Sequence, residues 1–245
     1  GDWSSDVCSS DLKTAYENGA DRVELNSALY MGGLTPTLGN LIYAKENCNI
    51  PVVAMVRSRG GGFCYSDEEY DTMLMDAKIL LEHGADGIAF GFLTEEKVLD
   101  EKRTKDMIEL VHECGREAVF HRAFDCIDNQ DSAAEKLIRL GADRILTSGG
   151  AANVWDGRKQ LKHLQNQYGK DITILAGSGV NDTNVRELIE YTGIMQVHSS
   201  CGAWKCDVTA AGNAVDFSYD EAMKNCYQCA DAGKVRKLVE VMSGV

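Results

Sequence analysis

The segment Ala118–Asp125, Ala-Val-Phe-His-Arg-Ala-Phe-Asp, begins as an apolar run and ends in His121, Arg122 and Asp125. Side chains on a strand alternate faces, so an extended reading puts His121 and Asp125 on one side and Arg122 on the other. Polar endings recur along the chain. Glu24 and Asn26 close one apolar run, and Arg57 and Arg59 close another before Gly60-Gly61-Gly62. Later runs end in Thr147-Ser148, Gly177-Ser178-Gly179 and His198-Ser199-Ser200. Such a set suits an anion. The guanidiniums of Arg57 and Arg59 would hold a carboxylate or phosphate, and backbone N–H groups at Gly177, Gly179, Ser199 and Ser200 would add donors. Glu24 beside His121 or His198 would supply acid and base near neutral pH, and Asp125 is a further candidate catalytic residue. The competing account is a structural Glu24–Arg57 pair, with glycines that merely turn the chain.

Sulfur is the other source of chemistry. The nine cysteines stand at 8, 48, 64, 114, 126, 201, 206, 226 and 229. An odd, scattered set argues for free thiols in a reducing cytosol rather than a secreted disulfide framework. Cys226-Tyr-Gln-Cys229 falls in the stretch Ser218–Met242, which reads as a terminal helix broken near Gly233. With Cys201 and Cys206 it could form a tetrathiolate site, although neither spacing matches a standard zinc knuckle. Cys64, beside the glycine loop, is the candidate soft ligand near the mouth. No Walker loop, His-Glu-x-x-His helix or Ser-His-Asp order is present.

The elements that would position these groups follow a rhythm. Gly19-Ala-Asp21, Gly84-Ala-Asp86 and Gly141-Ala-Asp143 each end a helical pattern and precede an apolar run. A glycine after the last turn is a C-cap, so the repeats mark βα units in series. Strands are expected at Arg22–Leu25, Pro51–Val56, Gly87–Leu93, Ala118–Phe124, Arg144–Gly149, Ile172–Ala176 and Met195–His198. Helices are expected at Leu38–Glu46, Asp67–Glu82, Asp100–Cys114, Ser132–Leu140, Gly157–Tyr168 and Asn184–Tyr191. About seven strands alternating with helices predict an α/β chain, a (β/α)8 TIM barrel of one domain, with the functional groups at the C-terminal strand ends. An open doubly wound sheet is the alternative, weakened by the lack of a Gly-x-Gly-x-x-Gly turn.

The eighth strand is missing from this list. Residues 1–12 have no alternating apolar pattern, and Asp2–Leu12 looks like translated sequencing adapter fused in frame. We therefore set residues 1–12 aside as foreign, take 13–245 as the barrel domain, and give Cys8 no functional weight. A barrel without its first strand would expose the edges of the second and eighth.

Composition narrows the partners. The 245 residues carry a formal charge of -13 and a pI near 4.8. An acidic surface repels phosphate backbones, so nucleic acid is not an expected partner. Mean hydropathy is -0.25, and no apolar run approaches the roughly 18 residues that would span a membrane. No signal peptide is evident.

Taken in order, the motifs form a signature. Gly32-Gly-Leu-Thr-Pro-Thr-Leu-Gly39, Arg57-Ser-Arg-Gly-Gly-Gly-Phe-Cys-Tyr-Ser66, Phe120-His-Arg-Ala-Phe-Asp125, Leu146-Thr-Ser-Gly-Gly150, Ala176-Gly-Ser-Gly-Val180 and His198-Ser-Ser-Cys-Gly-Ala-Trp204 together resemble the CutC family, named for copper homeostasis. The resemblance runs from about Lys13 to Trp204. It implies a cytoplasmic, homo-oligomeric barrel with a polar pocket, and copper binding as Cu(I). Glu24, Arg57, His121, Asp125 and His198 stand at its motif positions and are carried over as pocket residues. Two departures bear on copper. The first strand, which in the family carries Glu and Cys, is replaced here, and Asn26 stands where many members have Cys. A barrel enzyme acting on a small anionic substrate is therefore the alternative to copper handling.

Overall fold

In the computed structural model residues 2–7 and 9–244 are described, the side chains from Asp11 onward. Eight parallel strands close into a barrel in sequence order: β1 (Asp2–Val7), β2 (Arg22–Leu25), β3 (Val52–Met55), β4 (Gly87–Phe90), β5 (Glu117–Phe120), β6 (Arg144–Thr147), β7 (Thr173–Gly177) and β8 (Gln196–Ser199). Between them run α1 (Ser9–Glu17), α2 (Leu38–Asn47), α3 (Asp67–Glu82), α4 (Glu101–Glu113), α5 (Gln130–Leu140), α6 (Arg158–Tyr168) and α7 (Val185–Thr192).

Two sequence expectations change here. The residues set aside as foreign supply the missing strand: β1 pairs in parallel with β2 and with β8, so neither edge is open. Backbone hydrogen bonding does not depend on side-chain type, so a polar segment can fill a gap flanked by two unpaired ladders. Cys8 lies outside the described residues. The tail is also different. Within Ser218–Met242 the first part is no helix but holds β10 (Cys226–Ala230), which pairs antiparallel with the upstream β9 (Gly202–Cys206), and α8 (Ala232–Ser243) then runs unbroken through Gly233. Asp231 caps α8 by accepting from the Lys234 N–H, which fixes where the helix starts.

The Gly-Ala-Asp joints are three copies of one hydrogen-bonded device. Gly19, Gly84 and Gly141 take φ of 95°, 94° and 88°, the left-handed region that favours glycine. Each following alanine donates back to the carbonyl five residues earlier, Ala20 to Ala15, Ala85 to Leu80 and Ala142 to Leu137, all at 3.0 Å, which is a Schellman closure. The aspartate then ties down the preceding strand: Asp86 accepts from Val52 N–H at 2.9 Å and Asp143 from Ala118 N–H at 2.7 Å.

Strand alternation divides the interior from the helix-packed face. Val23, Leu25, Ala54, Ile88, Phe90, Phe120, Ile145, Ile174 and Val197 point outward into one large apolar core under the helices. Val53, Met55, Ala89 and Val119 form a small separate cluster within the barrel. At the N-terminal end, Arg22 and Arg144 both pair with Glu117, at 2.9 and 3.0 Å, and Arg144 also bonds Gln196.

Candidate active site at the barrel mouth

The C-terminal end opens into a cavity of about 480 Å³ whose lining includes Glu24, Arg57, His121, Arg122, Asp125 and His198. Gly179, Ser199 and Ser200 also reach it. The common rim expected from the strand endings is therefore present. Three expected members stand outside the lining: Arg59, Gly177 and Cys64.

Each placement has a local cause. Strand β5 ends at Phe120, and His121 is the N-cap of a 3-10 turn over Arg122–Cys126. Alternation stops applying once the chain turns. Arg122, expected on the far side, is brought to the mouth, where its Nε donates to Asp125 at 2.8 Å and its Nη2 to Ser148 Oγ at 2.9 Å. Its Nη1 makes no hydrogen bond among the described residues, and the side chain is half-exposed. Asp125 is saturated. Its Oδ1 accepts from Thr147 Oγ1, Ser148 N and Gly150 N, and its Oδ2 from Arg122, Ser148 N and Ser148 Oγ. It pins the loop after β6 and orients Arg122, and it has no lone pair left for general base work.

Arg57 is 4 % exposed. Its guanidinium donates to the carbonyls of Met31, Gly33 and Gly61 at 2.9, 3.1 and 2.7 Å and lies 5.0 Å from the Phe63 ring centroid. Most of its donors thus clamp two loops over the cavity, while its charge remains beside it. Arg59 does something else. It pairs with Glu69 at 2.5 Å and binds the Gly60, Gly62 and Cys64 carbonyls. It holds the glycine loop to the start of α3, where Ser66 and Glu69 form a capping box. The hydrogen bond with Glu69 keeps the Arg59 guanidinium ionised beyond its ordinary value and lowers the Glu69 carboxyl.

Gly177 serves packing: a Cβ there would meet Leu146 Cδ1 at 2.5 Å. The Ser199 hydroxyl donates to the Val180 carbonyl at 2.7 Å and accepts from Cys201 N–H, so it fixes the loop after β8. The exposed thiol of Cys64 lies off the cavity, whereas Cys126, which the sequence did not single out, lines it.

His121 defines the chemistry of the mouth. It is 3 % exposed, and its Nδ1 accepts from the Ala123 N–H at 3.1 Å. The proton of a neutral imidazole must then sit on Nε2, a buried atom without a hydrogen-bond partner among the described residues. Burial, reinforced by the neighbouring Arg57 charge, pushes its pKa down to about 3. The ring is therefore a neutral hydrogen-bond donor at physiological pH, not the titrating acid expected from the sequence. Space for it is made by Gly91, where a Cβ would lie 2.5 Å from His121 Cε1. In the same lining, Glu24 is 3 % exposed and accepts from Asn26 Nδ2 at 3.3 Å; His198 is 3 % exposed. Among the described residues no three His, Cys, Asp or Glu side chains converge to hold a metal ion.

Fold and mouth together define a β/α-barrel protein with a polar, mixed-charge pocket at its C-terminal strand ends. The CutC family model matches residues 5–203, and the chain belongs to that family. Its start falls inside the stretch set aside on sequence. A CutC family protein of Treponema denticola is 42% identical over 188 residues, 77% of this chain and 76% of that protein. One from Glaesserella parasuis is 34% identical over 241 residues, 97% and 98% of the two chains. The crystal structure of a Streptococcus agalactiae protein, described as a candidate copper homeostasis protein CutC, superposes with a TM-score of 0.76 at 30% identity, covering 81% of this chain and 98% of that one. Barrels such as 3-hexulose-6-phosphate synthase from Salmonella typhimurium, with a TM-score of 0.60 at 17% identity, share the fold.

Proposed function

We propose that the mouth binds a small oxygen-rich anion, a phosphate or carboxylate compound, and performs acid–base chemistry on it. The observation that carries this reading is the state of His121: a neutral, buried imidazole in the cavity lining, with Nδ1 committed and Nε2–H without a partner among the described residues. A donor of this kind is suited to an oxygen on which charge develops. Arg122 and Arg57 supply positive charge for the anion, and Glu24 is the carboxylate placed to take a proton. Together these are the parts of a proton-transfer site next to a carbonyl. No helix among the described residues is long and apolar enough to cross a membrane. We place the activity in the reducing cytosol on the strength of the scattered free cysteines.

Copper homeostasis, the role named for the Streptococcus agalactiae relative, is the second reading. It is favoured by soft sulfur donors in the same cavity, Met31, Met55 and Cys126. Against a preformed site stand Asn26 in place of a thiol and the lack of a converging triad of His, Cys, Asp or Glu side chains among the described residues.

Titration calorimetry separates the two. Inorganic phosphate, sugar phosphates and small carboxylates should bind the intact protein, with affinity falling about ten-fold or more in Arg122→Gln and His121→Phe, a loss of about 1.4 kcal/mol. Arg59→Gln should bind as the parent does. If no anion in the panel binds, or the variants bind equally well, the reading fails. Tight Cu(I) binding that disappears in Cys126→Ser would favour copper instead.

A further inference from the structure

We propose that Cys206 and Cys226 are a built-in dithiol site that closes to a disulfide and staples the β9–β10 hairpin beside the mouth. The two residues sit opposite each other in the antiparallel register, and their sulfurs are 2.9 Å apart. The adjoining rung is hydrogen-bonded, with Asp207 N–H donating to the Asn225 carbonyl. Rungs alternate in an antiparallel ladder, so Cys206 and Cys226 form a non-hydrogen-bonded pair, in which Cα atoms approach to roughly 4.5 Å. That separation lies within the range a disulfide spans without backbone movement. Alternation also selects the partner. Cys229 pairs with Ala203, an odd number of residues along the strand from Cys226, and so faces the opposite side of the hairpin. Cys206 is exposed and Cys226 half-buried, so reagents can reach the pair.

The pair is the last of the two strands, one rung in from the Asp207–Asn225 closure of the intervening loop, where the ladder would otherwise fray. Further along the same hairpin, Gly202, Ala203, Trp204 and Gln228 wall a second recess of about 380 Å³, which shares Leu29 and Ser200 with the main cavity. The staple therefore fixes a wall adjoining the site. The oxidant is a small-molecule disulfide of the glutathione class. The Cys206 thiolate attacks one of its sulfurs and releases a small thiolate, giving a mixed disulfide. The Cys226 thiolate then attacks Cys206 Sγ and expels the second small thiolate. Two protein thiols become one disulfide, and one oxidised molecule becomes two reduced ones.

The test uses the full chain, reduced and then equilibrated with oxidised and reduced glutathione at graded ratios, trapped by alkylation and mapped by mass spectrometry. The expected result is loss of both alkylatable thiols at 206 and 226 together, with a peptide cross-linked between them. The cross-link should vanish in Cys206→Ser and in Cys226→Ser and persist in Cys229→Ser. Protease cleavage within 207–225 should be slower in the oxidised form. Persistence of both free thiols in excess oxidised glutathione, arrest at the mixed disulfide, or a cross-link from either residue to another cysteine would each overturn the proposal.

Discussion

Both oxygens of Asp125 are occupied, by Thr147, Ser148, Gly150 and Arg122. Removing the carboxylate strands two backbone N–H groups and a guanidinium at once, and hydrogen bonds to a charged group contribute more than neutral ones. Asp125→Ala should destabilise the chain by about 3 kcal/mol, read as a fall in thermal midpoint of about 6–12 °C. A nucleophile or free base exposed at the mouth would show a loss of activity with little loss of stability, so the midpoint decides between the roles. His121 gives a second prediction. In the folded chain it ionises near 3, against 6.5 for the unperturbed group. Between those values the unfolded chain binds the additional proton, so stability rises with pH across the window and is lost as pH falls from 6.5 towards 3. Urea unfolding from pH 6.5 downward should show a slope up to about 1.4 kcal/mol per pH unit steeper in the parent than in His121→Phe. Parallel slopes would mean that the ring is not held neutral by the fold.

At the scale of elements, the site depends on what surrounds the strand ends. Gly91 follows β4 with no positive φ, so its requirement is one of space alone. A methyl group there would lie 2.5 Å from His121 Cε1 and 2.7 Å from Ala123 Cβ. Gly91→Ala should therefore displace the imidazole, lower anion affinity about ten-fold, and destabilise by about 1–3 kcal/mol. Unchanged calorimetric affinity would show that the ring position does not govern binding. Elements of this kind differ in how far the sequence reveals them. Helix α3 could be read to the residue, because Ser66 and Glu69 are a local capping signal and the apolar face repeats with the helical period. The Gly-Ala-Asp joints were equally visible, being local and repeated. The turn at His121–Cys126 was not. Alternation holds only while the chain stays extended, and nothing in Arg-Ala-Phe-Asp marks the switch, so alternation alone puts Arg122 on the wrong side and gives no sign that Asp125 is saturated. The β9–β10 hairpin was hidden for another reason. Its pairing joins segments separated by the 207–225 loop, and Cys226–Ala230 carries no β-branched residue to announce a strand.

The two ends of the whole barrel divide the work. The N-terminal end is closed by Arg22, Glu117, Arg144 and Gln196, and the C-terminal end holds the open, mixed-charge cavity, the division of stability and function that barrels of this kind display. Closure of the ring rests on β1, the strand whose sequence, Asp-Trp-Ser-Ser-Asp-Val, least resembles its neighbours. Strands of a closed parallel barrel are buried on both faces and read as apolar runs, as Val52–Met55 and Gly87–Phe90 do. Segment 2–7 contributes ladder pairing to β2 and β8 and carries only two apolar residues, Trp3 and Val7. Replacing Asp2–Val7 by an alternation-matched run of Val, Ile and Ala should add about 3 kcal/mol from the burial of a few such side chains. The corresponding rise in midpoint is about 6–12 °C, with less aggregate on heating because the β2 and β8 edges would fray less often. Differential scanning calorimetry of the two chains side by side measures it. Equal midpoints would mean that backbone pairing alone closes this barrel and that the composition of its first strand is immaterial.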